Sequence, residues 1–204
     1  KASQSATLHI GLTPSSVSIM SDYLVRFASK YPDIHFDIHE GSTFALKNEL
    51  ENGLVDITTL RTPIVLNECN TSVLLQENLV AMAIPGFFDI RYTNISLKEL
   101  SQKSLILSHR YRKYIISAFE DNGLTCDIYC ECEDARTAIT LAEHGLGVAI
   151  LPSSMRELNP CLYAYSIKDT NLSTEILLAW RDDRIPVEVE KFLSEVTCSH
   201  HLNP

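Results

Sequence analysis

The sequence is poor in glycine, with seven in 204 residues. That leaves little material for a glycine-rich phosphate cradle, and neither G-x-G-x-x-G nor G-x-x-x-x-G-K-[ST] occurs. The zinc-protease pattern H-E-x-x-H and the nucleophile-elbow pattern G-x-S-x-G are missing too. No apolar run approaches the roughly 20 residues that a membrane span needs. There is no basic excess: 17 Lys and Arg stand against 26 Asp and Glu, and both halves of the chain are acidic. A nucleic-acid-binding surface usually shows a basic excess, so this stretch is a poor candidate for contacting DNA or an anionic membrane. The first residues, Lys1-Ala2-Ser3-Gln4-Ser5, are polar with no apolar signal core, and the sequence does not begin with Met. The expectation is a piece of a larger protein.

Cysteine is present but in no secreted framework. Cys126, Cys130 and Cys132 fall in Cys-Asp-Ile-Tyr-Cys-Glu-Cys. On a regular strand all three would point to one face, which raises a thiolate metal site or a redox pair. No C-x-x-C and no clustered His accompany them, so buried free thiols are the expectation. His9, His35 and His39 lie on predicted strands, the last two four apart on one face. No further ligand follows at metal spacing, so structural or surface roles are expected for them, and no metal and no cofactor is assigned.

What is present is an alternation of periods. Residues 7–12 (TLHIGL) alternate as a strand, and Thr13 or Ser15 is placed to cap a following helix. Val17, Met20, Leu24, Phe27 and Tyr31 recur at helical spacing up to Pro32. Residues 34–40 (IHFDIHE) alternate again, a short helix carries Leu46 and Leu50, Gly53 closes it, and 54–60 form a third strand. After a long apolar stretch at 73–84, broken by Pro85-Gly86, the pattern restarts. Ser96-Leu97-Lys98-Glu99 is a capping box. Strands are predicted at 104–108, 127–133 and 147–151, with helices at 111–122 and after Asp134. Two more strands at 162–167 and 175–180 and a helix at 186–196 complete the chain. Two β-α-β-α-β units imply an α/β fold with parallel sheets covered by helices.

Ligands of open α/β sheets bind beyond the carboxyl ends of the strands. Those ends are rich in hydroxyls: Thr13-Pro14-Ser15-Ser16, Ser42-Thr43 and Thr58-Thr59. Helix N-termini there favour an anion. The third strand runs into Arg61-Thr62, and Arg offers a planar fork for a carboxylate or phosphate. In the second unit the strand end is Ser108-His109-Arg110.

Several stretches together resemble the effector-binding domain of LysR-type transcriptional regulators. They are Leu8-His9-Ile10-Gly11 running into Thr13-Pro14-Ser15; Phe27 through Tyr31-Pro32; Glu40-Gly41-Ser42 with Gly53 and Asp56; and Leu141 to Pro152 (LAEHGLGVAILP), the most specific. The resemblance spans about residues 6–197. It departs at Pro85-Gly86-Phe87-Phe88, where many members carry His-Pro. It implies a type 2 periplasmic-binding-protein fold: two Rossmann-like lobes joined by two crossover strands, with lobe I at 1–80 plus 180–204 and lobe II at 81–179. It also implies a small effector in the interlobe cleft, a homodimer or homotetramer, a cytoplasmic location, and DNA contact only through an N-terminal winged helix-turn-helix outside this chain. Carried over by position, the effector-binding residues are Thr13, Ser15, Ser16, Ser42, Thr43, Arg61, Thr62, Ser108, His109 and Glu133. The expected effector is a small anionic metabolite, a carboxylate from the Arg61 and His109 chemistry. A transport solute-binding protein of the same fold is the alternative. An enzyme is not expected, because no nucleophile–base pair or metal set stands out.

Overall fold

The computed structural model describes residues 6–181 and 185–200. In chain order its elements are β1 (Ala6–Leu12), α1 (Val17–Lys30), β2 (Ile34–Glu40), α2 (Thr43–Glu51), β3 (Ile57–Arg61), β4 (Cys69–Ala83), β5 (Asn94–Ile95) and α3 (Leu97–Leu100). Then come β6 (Ser104–Ser108), α4 (Arg112–Asp121), β7 (Asp127–Cys132), α5 (Ala135–Glu143), β8 (Val148–Pro152), β9 (Tyr163–Ile167), β10 (Ser173–Arg181) and α6 (Val187–His200). The first compact unit runs to Leu75 and resumes at Ile176; the second is Gln76–Glu175. The chain leaves the first unit within β4 and returns to it within β10.

In the first unit the strand order is β2-β1-β3-β10. β1 pairs parallel with β2 from Ala6↔Ile34 to Leu12↔Glu40, and parallel with β3 at Ile10↔Ile57. β10 closes the set antiparallel to β3. Side chains alternate between faces, and the core follows. Leu8, Ile10, Ile57, Ile176 and Leu178 pack with Met20 and Phe27 of α1 and Val189 and Phe192 of α6. Leu60 and Ala179 pack on the other side with Leu46 and Leu50 of α2. Phe27 meets Phe192 edge-on at 5.2 Å, a favoured aromatic geometry. The α1 stripe is rotated slightly from its predicted line: Met20, Tyr23 and Phe27 are buried, while Val17 is 37% exposed. The third strand begins at Ile57, not at residue 54; just ahead of it the Asp56 amide donates to the His9 carbonyl oxygen and its carboxylate accepts from the His9 amide. β4 begins at Cys69, four residues before the apolar stretch.

The second unit repeats the construction. β6 pairs parallel with β7 and with β8, and β4 runs antiparallel to β8. Leu79, Ala81, Leu105, Leu107, Val148 and Ile150 face Ile115 and Phe119 of α4. The intervening Val80, Met82, Ile106, Ala149 and Leu151 face Ala138, Ile139 and Ala142 of α5. Ser96 and Glu99 form the expected capping box on α3. Gly147 lies where β8 approaches the start of β6: a Cβ there would sit 2.5 Å from the Ser104 carbonyl oxygen.

The three cysteines do not share a face, contrary to the expectation for a regular strand. Leu105 pairs with Ile128 but Ile106 pairs with Cys130, so Tyr129 is an extra residue, a β-bulge. Cys126 and Ile128 pack toward α4, whereas Cys130 and Cys132 pack toward α5. The bulge removes the third thiol from any shared ligand set.

Candidate functional site

The carboxyl ends of β1 and β3 in the first unit hold a buried hydroxyl cluster. After Leu12 the chain stays extended at Thr13 and tightens into a 3-10 turn, Pro14–Ser16, that leads into α1. The Thr13 amide donates to Thr59 Oγ1 at 3.1 Å. Thr13 Oγ1 donates to Ser16 Oγ at 3.1 Å, and Ser16 Oγ lies 2.5 Å from Thr59 Oγ1. The three side chains are at most 4% exposed. Buried hydroxyls must be hydrogen-bonded, and here they satisfy one another. Thr13 and Ser16 were expected near a ligand, and Thr13 or Ser15 as a helix cap. Neither the Thr13 nor the Ser16 side chain caps the helix start; they pin the β1–α1 turn to β3 instead. Gly11 permits the approach, since a Cβ there would meet Thr58 Oγ1 at 2.3 Å and Leu46 Cδ2 at 3.0 Å.

Arg61 ends β3 beside this cluster and is 3% exposed. Its backbone amide donates to Thr43 Oγ1 at 3.2 Å, and its Nε donates to Ser15 Oγ at 3.1 Å. Burying a charged group is costly unless hydrogen bonds or opposite charge compensate it, and the Ser15 hydroxyl is one such partner of the guanidinium. Ser42 Oγ accepts from the Ala45 amide at 3.3 Å, which makes it the α2 cap. Thr62 follows Arg61 and is partly exposed. The structure therefore brings Thr13, Ser15, Ser16, Thr43 and Arg61 together and leaves Ser42 with a capping role. Thr59, at the centre of the cluster, is missed by position-by-position carry-over. Its place in the hydroxyl-rich strand end was the signal for it.

In the second unit Ser108 ends β6, 5% exposed, and the turn His109–Tyr111 follows. His109 Nδ1 lies 2.9 Å from Glu133 Oε1 and its Nε2 lies 3.9 Å from Glu131 Oε2. Arg112 Nε donates to Glu131 Oε1 at 2.9 Å. Two residues expected as separate ligand contacts, His109 and Glu133, thus engage each other. The imidazole thus sits between two carboxylates, with the Arg112 guanidinium on one of them.

The cysteines nearby are not poised for chemistry. Burial first, then the neighbouring Cys130 and Asp134, push the Cys132 thiol up to about 11. The thiolate is the reactive form, so Cys132 is expected to alkylate far more slowly than exposed Cys161 at pH 7.5. Peptide mass spectrometry after a timed iodoacetamide pulse reads the two rates, and equal rates would contradict the burial argument. Cys130 and Cys132 stand two residues apart on one strand with parallel side chains, so their Cβ atoms are separated by roughly 6.6 Å, beyond the about 3.5–4.5 Å of an unstrained disulfide. Among the described residues no three His, Cys, Asp or Glu side chains form a ready metal site, and no helix is long and apolar enough to cross a membrane.

An α/β fold of two linked units carries a buried arginine and hydroxyls at strand ends in its first unit. The sequence matches the LysR substrate binding domain over residues 1–199, and the chain belongs to that family. The family is one of transcriptional regulators, not of enzymes. An uncharacterized HTH-type transcriptional regulator, YnfL, of Escherichia coli is 28% identical over 87% of this chain and 62% of its own length. The HTH-type transcriptional regulator CatR of Pseudomonas putida is 23% identical over 92% of this chain and 66% of its own length. The chain thus spans about two thirds or less of these curated relatives. In fold it is similar to the effector binding domain of QuiR in complex with shikimate, with a TM-score of 0.86 and 18% identity over 97% of this chain and 98% of that one. The BenM effector binding domain with its effector benzoate gives a TM-score of 0.82 and 18% identity over 98% and 94%. These likenesses bear out the two-lobed, type 2 periplasmic-binding-protein-like fold.

Proposed function

We propose that this chain is the effector-sensing part of a LysR-type transcriptional regulator and that it takes a small carboxylate at the Arg61 end of β3. The observation that carries the reading is Arg61 itself, buried and oriented by Ser15 next to the Thr13–Ser16–Thr59 cluster. An Arg fork matches a carboxylate with two parallel charge-assisted hydrogen bonds. The ligands of two fold neighbours, shikimate and benzoate, are both carboxylates, which supports the assignment. The curated relatives are regulators, which weighs against the solute-binding alternative. The working unit is a cytoplasmic homodimer or homotetramer that contacts DNA through a helix-turn-helix domain outside this sequence. The effector acts by its differential affinity for two states of that assembly.

A thermal-shift screen tests the chemistry. Organic acids are compared with their own amides and methyl esters. At 100 times Kd a ligand adds about 2.7 kcal/mol, roughly 5–10 °C in Tm for a chain of this length. The acid of a pair should raise Tm while its amide does not. A hit whose amide works equally well sinks the carboxylate assignment.

A further inference from the structure

Arg91, Tyr92, Thr93, Asn94, Glu99 and Lys168 line a cavity of about 320 Å3 that lies wholly within the second unit, apart from the Arg61 site. The backbone brings these residues together. β5 pairs parallel with β9 at Asn94↔Ser166 and Ile95↔Ile167. The Ser166 amide donates to the Thr93 carbonyl oxygen at 3.0 Å, and the Lys168 amide donates to that of Ile95 at 2.7 Å. Lys168 is therefore fixed just past β9, beside the segment that carries Thr93 and Asn94. Glu99 is held by the α3 capping box: its Oε2 accepts from the Ser96 amide at 2.8 Å and from Ser96 Oγ at 2.7 Å. Those bonds first, and then the Lys168 charge, hold the Glu99 carboxyl below the usual carboxylate range. Asp89 steadies Arg91, accepting from its backbone amide at 3.0 Å, from Nε at 2.9 Å and from Nη2.

We propose that this cavity binds a small zwitterion, a free amino acid, with its carboxylate at Lys168 and Arg91 and its ammonium at Glu99 and Tyr92. The charges are arranged for one group of each sign. Among the described residues the Lys168 ammonium has no ion-pair partner, although Glu99 feels its charge. Arg91 uses Nε and Nη2 on Asp89, which leaves the Nη1 donors of its fork for a ligand carboxylate. Glu99 uses Oε2 in the cap, which leaves Oε1 to accept from a ligand ammonium. The exposed Tyr92 ring offers the same ammonium a π face. Thr93 and Asn94 add a hydroxyl and a side-chain amide that donate and accept. Apart from the Tyr92 ring the lining is polar, so an apolar ligand would strip these groups of water without replacing their hydrogen bonds. A cavity of this volume is at the small end of ligand sites, and an amino acid fits it. Five of the six lining residues are exposed and Asn94 is half-buried. Solvated ion pairs contribute little each, so binding is expected to be weak, with a Kd on the order of 1 mM.

The experiment titrates the purified chain at pH 7.5 with each of the standard amino acids, and with the N-acetyl derivative and the carboxamide of any that binds. Amide NMR shifts give both affinity and location. At least one amino acid should bind and move the Thr93, Asn94 and Lys168 peaks, and blocking either of its ends should weaken binding about fivefold or more. Lys168→Gln should weaken the amino acid to the same degree and leave its carboxamide unchanged. Glu99→Gln should do the converse, weakening the amino acid and leaving the N-acetyl derivative unchanged; a Gln at this position still serves the capping box. Thermal melts of each variant confirm folding. Absence of binding by every amino acid overturns the proposal and leaves Lys168 and Glu99 as solvated surface charges. So does binding that both variants retain, or binding of the N-acetyl derivative and the carboxamide as tight as that of the amino acid. Binding that Arg61→Met abolishes and Lys168→Gln does not belongs to the Arg61 site and also overturns it.

Discussion

Gly147→Ala is expected to destabilise the second unit by about 3 kcal/mol, the upper end of what overpacking costs. The new methyl would sit 2.5 Å from the Ser104 carbonyl oxygen and 3.2 Å from its carbonyl carbon. Both are backbone atoms at the first residue of β6, so no side-chain rotation relieves the clash. The strands must separate where Leu105 pairs with Val148 and Ile106 with Ala149. Gly145→Ala, two residues earlier, is the control. Its cost arises from a φ of +78°, with the added methyl 3.3 Å from Ile84 Cδ1, and should be about 1–2 kcal/mol. Hydrogen exchange resolves the difference by location. Gly147→Ala should accelerate exchange in peptides covering 104–108 and 148–152 and leave those covering β1 and β2 protected. A loss below about 0.5 kcal/mol would falsify the steric reading.

Arg61→Met is expected to lower affinity for a confirmed acid effector at least 100-fold. A hydrogen bond to a charged group contributes about 1.5–3 kcal/mol, and a forked contact loses two such bonds. Methionine keeps a long apolar stem in a site that is 3% exposed, so the change removes charge more than volume. Arg61→Lys keeps the charge without the planar fork, and about a tenfold loss is expected. Ser15→Ala removes the acceptor on Nε and should cost less than either, since it frees the guanidinium without deleting it. Calorimetry against the acid, with melts to verify folding, gives the order. If Arg61→Met binds the acid as the wild type does, Arg61 is not the anion site.

Much of the architecture was legible because each local period agreed with its burial. Residues 34–40 and 104–108 were delimited as observed, and the Ser96–Glu99 box formed as drawn. The failures have physical causes. Cys69 to Ser72 carry no apolar signal yet join β4, because backbone pairing alone can extend a strand. The two residues of β5 exist only through their pairing with β9, at Asn94↔Ser166 and Ile95↔Ile167. At the site, single hydroxyls could be located at strand ends, but their network joins residues more than 40 positions apart and depends on the packed β1–β3 distance. His109 and Glu133 were chosen for their places at strand ends, and only the fold sets them 2.9 Å apart.

The bulge at Tyr129 changes what an insertion or deletion does in β7. Upstream, even-numbered side chains serve the α4 layer; downstream, even-numbered side chains serve the α5 layer. The extra residue acts like a frameshift in side-chain phase, confined to one edge strand. Substituting Tyr129, whose ring is 64% exposed, alters a surface group and leaves that phase intact. Deleting it would leave a simple alternation in which Cys126 and Ile128 still face α4 and Cys130 and Cys132 still face α5, so the bulge is lost and the faces are kept. Position 129 is therefore the one place in β7 where the loss of a residue keeps the side-chain phase; a deletion at a paired position would exchange the faces on one side of the cut.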